Sequence, residues 1–560
     1  MYSSGSADTN DSVVEARLSE REIEGIHHGT YGVRKRQNGK LAGYDKMWWW
    51  NCRGYTSAGV ETWNCVRALD YLETRKEVDA KRIGVTGRSG GGAYSWWIAA
   101  IDERIKVAVP VAGITDLQNH VVAAMPGRFH DGCVEGHCDC MYMVNTYRWD
   151  YAQVAALVAP RPLLISNSDK DPIFPLDGVV RLHSKVRDIY RLYGKENQLG
   201  LQITEGPHRD TQELRVHAFR WFNRFLKKKS PLIDKTAVKF FQPEQLKVFA
   251  KNPADQRNTA IHDTFTKRAK AKAPADARAW SAHRDAMLES LKAKAFRGWP
   301  AKSEPLNLKP AFRATRHGIE FSAYDFTSQG PIRLRLYLAH RAGLKDFSLV
   351  VLNALNQPGW TRFLANMRTG FADELKEEMA VEPVEASFRS TQGMFKQFPW
   401  VMAYVAPRGI GPTVWNLSER KQTQIRRRFM LLGQTLDGMR VFDVRRAAEA
   451  LRQVPSMKRV PLWMQGERQM AGITLYASLF TPKVHRLDLH HLTNSHQDGP
   501  YFLNVMRYLD IPQAVAMAAE RSQVRIYQEA AGGWEFPETV ARKLQWDKKQ
   551  LQVRVLKSKR

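Results

Sequence analysis

Residues 82–97 read RIGVTGRSGGGAYSWW, and this stretch decides the fold. The short apolar run Arg82–Thr86 predicts a strand, and Ser89–Ala100 predicts a helix directly after it. At their junction, Gly87–Gly91 fits the pattern Gly-x-Ser-x-Gly. A serine on such a tight strand-to-helix turn is held in a strained conformation with its hydroxyl exposed above the sheet edge. The stretch therefore predicts a nucleophilic serine at position 89.

Strands and helices alternate on the carboxyl side of this turn. Further strands are predicted over residues 105–111, 162–166 and 199–204, and helices over residues 59–72, 176–193 and 211–226. Such alternation implies a parallel sheet covered by helices on both faces. The predicted fold class is therefore α/β.

A serine hydroxyl is too weakly acidic to attack a carbonyl unaided, so a base and an orienting acid are needed. On this architecture they follow the serine in the order acid, then histidine. The loop after the strand 162–166 offers Asp171 as the acid, with Asp169 as the competitor. The loop after the strand 199–204 offers His208 as the general base. The backbone N–H of Gly90, at the helix start, is a candidate oxyanion donor.

Several side chains near Ser89 are weaker candidates for substrate contact. Arg88 could bind an anionic group of a substrate, or it could be paired structurally or face solvent. Trp49, Trp50 and Trp96 could stack on sugar rings, although large aromatic side chains more often pack in a core.

A loop rich in cysteine and histidine precedes the acid strand. Cys133, Cys138 and Cys140 are spaced Cys-x4-Cys-x-Cys, which departs from the paired Cys-x2-Cys of zinc sites. A structural loop, a metal site and a disulfide or redox-sensitive loop all stay open for this segment. His27 and His28 precede a glycine in another loop, where they line a pocket or face solvent. On balance the sequence predicts neither a metal nor a cofactor.

Composition excludes several classes of protein. The 560 residues carry a net charge of 85 − 57 = +28 and are 43% apolar, as in globular chains. No run approaches the roughly 18 apolar residues of a membrane helix, and the first thirty residues lack a signal peptide pattern. Lys and Arg are spread along the whole length, so no nucleic-acid partner is expected. The compartment and the oligomeric state stay unassigned.

Composition shifts divide the chain into four predicted segments. Residues 1–22 are polar and irregular. Residues 23–230 contain the strand-to-helix turn of Ser89, which we call the elbow, together with Asp171 and His208. Residues 231–315 are rich in Lys and Ala and poor in strand patterns, which predicts a helical connecting segment. Residues 316–560 return to alternating strands and helices.

The second half matches the first at a constant offset. The 14-residue stretch from Gly59 aligns without gaps onto the stretch from Gly438, an offset of 438 − 59 = 379. Carried forward, this offset places Arg468 at the position of Ser89. A guanidinium is always charged and cannot attack a carbonyl, and no histidine follows the predicted final strand 524–527. The second half is therefore predicted to be a degenerate, non-catalytic copy.

Residues 23–230 resemble the catalytic part of an α/β-hydrolase, in the acetyl xylan esterase-like and dienelactone hydrolase-like branch of bacterial esterases. The stretches that carry this resemblance are GIHHGTYG, MWWWNCRGYTSAGVETWNCVRALDYL, GVTGRSGGGAYSWW, APRPLLISNSDKDPIFP and EGPHRDTQE. The resemblance implies hydrolysis of acyl or acetyl esters, on small molecules or on plant or algal polysaccharide. Ser89 would attack the ester carbonyl, His208 would carry the proton and Asp171 would hold the imidazole tautomer.

One departure from the family concerns the strands before the elbow. Only 88 residues precede Ser89, and the first 43 of them hold at most one weak strand pattern, Ser12–Leu18. Either a segment with early strands and a second oxyanion donor is missing from this chain, or the site is built with fewer strands. The first of these is the expectation. Two other functions stay open: a prolyl oligopeptidase-type serine peptidase, against which the lack of propeller repeats counts, and an inactive hydrolase-like binding protein.

Overall fold

The computed structural model describes residues 2–4, 48–122, 143–233, 245, 254–255, 261–416, 418–530 and 532–556. The chain divides into two compact units. Unit 1 comprises Met1–Trp50, Tyr55–Thr266 and Thr423–Gly433. Unit 2 comprises Asn51–Gly54, Lys267–Gln422 and Gln434–Arg560. The predicted boundaries after residues 22, 230 and 315 stay predictions.

The described residues form strands and helices that we number along the chain. The strands are β1 (Tyr2–Ser4), β2 (Ile83–Arg88), β3 (Ile105–Val111), β4 (Leu163–Ser168), β5 (Leu199–Thr204), β6 (Lys309–Arg316), β7 (Ile319–Gln329), β8 (Ile332–Arg341), β9 (Leu349–Ala354), β10 (Trp400–Val405), β11 (Leu462–Glu467), β12 (Val484–His490), β13 (Gln523–Gln528) and β14 (Leu551–Val555). The helices are α1 (Trp49–Cys52), α2 (Ser57–Glu73), α3 (Gly90–Ile101), α4 (Leu117–Val121), α5 (Tyr151–Ala156), α6 (Leu176–Leu192), α7 (Gln212–Phe222), α8 (Ile261–Thr264), α9 (Ala277–Ser290), α10 (Gln357–Phe371), α11 (Glu385–Gln397), α12 (Glu419–Leu431), α13 (Leu436–Gln453), α14 (Gln469–Leu479), α15 (Ile511–Ala519) and α16 (Glu535–Lys543). In the described part of the chain, none of these helices could span a membrane.

Unit 1 is built on a five-stranded sheet in the order β1-β2-β3-β4-β5, and all neighbouring strands are parallel. The strands β3 and β4 are almost entirely buried, as expected for continuous apolar runs covered on both faces. In a parallel sheet all carboxyl ends meet at one edge. The loops after β2, β4 and β5 therefore open at the same edge of this sheet.

Two helices of unit 1 show why they form and how they pack. Thr56 caps α2, because its hydroxyl accepts the backbone N–H of Gly59 at 3.1 Å. Helix α6 is amphipathic and buries one face, formed by Val179, Leu182, Val186 and Tyr190.

Unit 2 is built on a nine-stranded sheet in the order β14-β13-β12-β11-β9-β10-β8-β7-β6. The strands β6, β7 and β8 form an antiparallel meander, and β10 pairs antiparallel with β8. The remaining pairs are parallel: β10 pairs with β9, β9 with β11, β11 with β12, β12 with β13, and β13 with β14. Because apolar side chains from both faces of this sheet are buried, unit 2 has an extensive core of its own.

The structure confirms the predicted α/β class with a parallel sheet and corrects several details. A short helix, α1, precedes the predicted helix over residues 59–72. The strands β1, β6, β7 and β14 were not predicted, and β14 follows the strand that the sequence analysis took as the last one. The predicted strand Ser12–Leu18 lies outside the described residues.

Candidate active site

Ser89 lies on a strained turn between β2 and α3. Its backbone angles are φ 57° and ψ −120°, a conformation that is unfavourable for a residue with a Cβ. Such strain costs roughly 1–3 kcal/mol and persists only where the surrounding structure enforces it. The N–H of Ser89 donates to the carbonyl of Val111 at 3.0 Å, and its own carbonyl accepts from Ala93 at 2.9 Å. The turn is therefore held from β3 on one side and from α3 on the other.

A close approach between two glycines allows α3 to start at this point. A Cβ on Gly92 would lie 2.5 Å from the carbonyl oxygen of Val111 and 2.9 Å from the Cα of Gly113. A Cβ on Gly113 would lie 2.4 Å from the backbone nitrogen of Ala93. All three distances are too short for any side chain. No role was predicted for this glycine pair, although the run of three glycines after Ser89 was a signal for it.

Asp171 and His208 form a hydrogen-bonded pair on neighbouring loops. His208 Nδ1 lies 2.7 Å from Asp171 Oδ2, and the carboxylate side chain is fully buried. The second oxygen, Oδ1, accepts the backbone N–H groups of Ile173 at 2.8 Å and Phe174 at 2.9 Å. Since a carboxylate can only accept, Nδ1 carries the proton and Nε2 is left with a lone pair.

The other ring nitrogen of His208 is available for a proton. Its Nε2 is buried and has no hydrogen-bond partner among the described residues. The imidazole packs against the ring of Phe174, with centroids 5.8 Å apart. An imidazole held in this tautomer can act as a base toward a hydroxyl group within its reach.

Asp169, the competing acid, has a different partner. Its carboxylate accepts the N–H of Gly206 at 2.8 Å, and its own N–H donates to the carbonyl of Thr204 at 2.9 Å. The N–H of Lys170 donates to the carbonyl of Gly206 at 3.1 Å. These bonds join the loop after β4 to the loop that carries His208, and among the described residues Asp169 makes no hydrogen bond to His208.

The three candidate residues share one edge of the sheet. Ser89 follows β2, Asp171 follows β4 and His208 follows β5, in the chain order expected for the serine, acid and histidine. Within the described residues, no hydrogen bond joins the Ser89 hydroxyl to His208. Apo sites often show such loose contacts. Gly90 is the first residue of α3, where a backbone N–H has no partner within the helix.

The weaker candidates for substrate contact are buried. Arg88 is the last residue of β2 and is 4% exposed, and Trp49 and Trp50 are also buried. Trp96 is fully buried, and its indole N–H donates to the carbonyl of Gly113 at 2.9 Å. The ring of Trp96 therefore has no exposed face that a sugar could contact. It packs within the core of unit 1. The remaining candidates, His27, His28, Cys133, Cys138 and Cys140, lie outside the described residues.

Unit 2 contains a turn with almost the same backbone angles. Arg468 lies between β11 and α14 with φ 53° and ψ −124°, and its N–H donates to the carbonyl of His490 at 2.8 Å. Its guanidinium side chain is 71% exposed. Unit 2 thus has an elbow with a cation where unit 1 has a hydroxyl.

Unit 1 thus has a strained serine between a parallel strand and a helix, an arrangement typical of α/β-hydrolases. Residues 44–230 match the prolyl oligopeptidase family, a family of serine hydrolases. This match confirms the α/β-hydrolase resemblance for the first part of the chain. The predicted internal repeat stays a prediction.

Two curated proteins and one solved structure are similar to parts of this chain. The hydrolase YtaP of Bacillus subtilis (strain 168) is 28% identical over 169 residues, which are 30% of this chain and 54% of YtaP. Carbohydrate esterase MZ0003, from an unknown prokaryotic organism, is 27% identical over 134 residues, or 23% of this chain and 31% of that protein. The match thus spans about half of the first relative and a third of the second. A structure from Bacteroides fragilis NCTC 9343, described as an acetyl xylan esterase, shows 13% identity and a TM-score of 0.36, covering 50% of this chain and 75% of its own.

Proposed function

We propose that this protein is a serine hydrolase that cleaves carboxylic esters of carbohydrates, with Ser89, His208 and Asp171 as its catalytic triad. The observation that carries the proposal is the buried Asp171–His208 pair, whose free Nε2 lies at the same sheet edge as the strained Ser89 turn. Strain at Ser89 and a buried carboxylate both oppose stability. A site that retains both is typical of catalysis.

The proposed reaction proceeds through an acyl-enzyme. Ser89 Oγ attacks the ester carbonyl while His208 Nε2 takes its proton, and Asp171 stabilises the imidazolium that forms. The Gly90 N–H donates to the developing oxyanion, and such a donor contributes roughly 3 kcal/mol. His208 then returns the proton to the leaving alcohol. Water, activated by the same imidazole, releases the carboxylic acid and restores Ser89.

The similarity to carbohydrate esterase MZ0003 supports a carbohydrate ester as the substrate class. We propose an acyl or acetyl group on a polysaccharide, and no resident metal or cofactor takes part in the scheme. The catalytic chemistry needs only the three side chains and the backbone donor.

The decisive experiment is to label and assay the purified full chain. A fluorophosphonate probe should modify one serine, and peptide mass spectrometry should place it at Ser89. Ser89→Ala should remove both labelling and p-nitrophenyl acetate hydrolysis, whereas the exposed Ser230→Ala should change neither. Labelling at another serine, or turnover by folded Ser89→Ala, would refute the triad.

A second candidate function is peptide hydrolysis, which the match of residues 44–230 to the prolyl oligopeptidase family favours. The same triad would then form its acyl-enzyme from an amide bond. An N-blocked glycyl-prolyl p-nitroanilide separates the two functions. A kcat/KM for this anilide above that for p-nitrophenyl acetate would assign the protein to the peptidases.

We also propose that unit 2 is a non-catalytic, hydrolase-like partner. The position that corresponds to the nucleophile is Arg468, and no histidine occurs after residue 496. Probe labelling should therefore reach one equivalent per chain. A second equivalent on a peptide of unit 2 would contradict this part of the proposal.

A further inference from the structure

Two large aromatic side chains of unit 1 are exposed and contact each other. Tyr147 is 50% exposed and Trp149 is 46% exposed, whereas Trp49, Trp50 and Trp96 are buried. The two rings stack on each other, with an interplanar angle of 26° and centroids 5.8 Å apart. We call this exposed aromatic pair the Tyr147–Trp149 platform.

The path of the chain places the platform on the side of the candidate active site. Strand β3 ends at the same sheet edge as Ser89, and the chain returns to the amino end of β4 through α5. The platform lies just before α5, so it precedes this return. The N–H of Leu117, close after β3, donates to the Asp150 carboxylate at 2.9 Å, which ties the platform to that edge.

The buried side chain of Asn145 holds the loop that carries the platform through hydrogen bonds. Asn145 is 3% exposed, and its side chain accepts the N–H of Trp149 at 2.9 Å and donates to the Trp149 carbonyl at 2.7 Å. It also donates to the carbonyl of Leu431 at 2.8 Å. Arg148 lies between Tyr147 and Trp149 in the sequence and has φ 59°, so the loop holds a residue in an unfavourable conformation. The rings are therefore preorganised, which lowers the entropy lost when a ligand binds.

The chemistry of the platform fits a sugar ring. The face of an aromatic ring carries partial negative charge and packs against the apolar C–H face of a pyranose. Among the described residues, the indole N–H of Trp149 has no hydrogen-bond partner, so it can donate to a sugar hydroxyl. An apolar face with a polar tip is what a carbohydrate requires of its binding surface.

We propose that the Tyr147–Trp149 platform binds a pyranose ring of the polysaccharide whose ester group is cleaved at Ser89. This inference rests on the proposed function and deepens it, because it assigns a subsite for the polymer away from the reacting bond.

Direct binding tests the platform without any need for turnover. Xylohexaose, cellohexaose and mannohexaose are titrated into folded Ser89→Ala protein, and Kd is measured by calorimetry. We expect at least one of them to bind, and Trp149→Ala in this background to raise its Kd about tenfold. Trp149→Phe should recover much of the affinity. Trp63→Ala, which removes another exposed tryptophan, should leave Kd unchanged.

Kinetics on the active protein separate this inference from the proposed function. Trp149→Ala should raise KM for acetylated xylan about tenfold, whereas Trp63→Ala should leave this KM unchanged. If none of the three oligosaccharides binds, or if Trp149→Ala binds as tightly as its parent, the platform is refuted while the esterase stands. If oligosaccharides bind at the platform but Ser89 proves inert, the proposed function fails and the subsite remains as a carbohydrate-binding site.

Discussion

Replacing Asp171 by asparagine tests the candidate site at its most constrained contact. The carboxylate makes three hydrogen bonds: Oδ1 accepts from the N–H groups of Ile173 and Phe174, and Oδ2 lies 2.7 Å from His208 Nδ1. In Asp171→Asn, the amide oxygen should keep the two backbone donors. Turning the amide over would break both bonds, at about 1 kcal/mol each, which disfavours that orientation roughly thirtyfold. The amide NH2 therefore faces Nδ1.

An N–H donor opposite Nδ1 reverses the tautomer of His208. Nδ1 must then accept, so the ring proton moves to Nε2, which can no longer take the proton of Ser89. Only the minor orientation of the amide, about one molecule in thirty, keeps the active tautomer, so kcat should fall at least about thirtyfold. Loss of the negative charge beside the imidazolium should lower kcat further. Together they should lower kcat by about 10⁴, with little change in KM.

The assay is p-nitrophenyl acetate hydrolysis across neutral and mildly alkaline pH, with unfolding curves to show that Asp171→Asn is folded. Asp169→Asn is the matched control, because its amide oxygen can still accept the Gly206 N–H. We expect that control to lose less than about tenfold in kcat. A folded Asp171→Asn protein with more than a tenth of the wild-type kcat would refute the tautomer argument.

Three other changes test separate parts of the structure. Gly92→Ala places a Cβ 2.5 Å from the Val111 carbonyl oxygen and should lower the free energy of unfolding by about 1–3 kcal/mol, measured by chemical denaturation; an unchanged value contradicts the close packing. Burial raises the pKa of the Cys52 thiol, so native protein at about pH 8.5 should resist iodoacetamide at Cys52 and react there after unfolding. Its contribution to stability should fall as pH rises above the ordinary thiol pKa, because only the unfolded chain then ionises; rapid alkylation of native Cys52 would contradict this. Arg468→Gly should raise the free energy of unfolding by about 1 kcal/mol and Arg468→Ala should not, because only glycine relieves the positive φ; equal effects would show that the turn is unstrained.

The sequence predicted the sheet of unit 1 well because its central strands are continuous apolar runs. Strand β3 and strand β5 have the predicted bounds. Strands β2 and β4 each begin one residue later and end two residues later than predicted. The unpredicted strand β6 is mostly exposed and carries Lys and Arg, as is common for edge strands. Its pairing with β7 rather than its own composition makes it a strand.

The order of the site residues was predictable, but the choice between Asp171 and Asp169 was not fixed by sequence. Both follow β4 within three residues, and the structure pairs Asp171 with the histidine because the N–H groups of Ile173 and Phe174 hold its other oxygen. Tryptophans close to Ser89 in sequence could be core or surface. The structure distinguishes them by burial: Trp149 is exposed, and Trp96 is fully buried.

The two elbows of this chain have a consequence for finding enzymes by shape. Ser89 and Arg468 differ by only a few degrees in both backbone angles. A backbone template for hydrolase nucleophiles would therefore return two hits in this one polypeptide, of which one has no nucleophilic atom. Substituting serine at position 468 would supply the missing hydroxyl on a ready-made turn, so the second elbow is also a scaffold on which a base could be engineered.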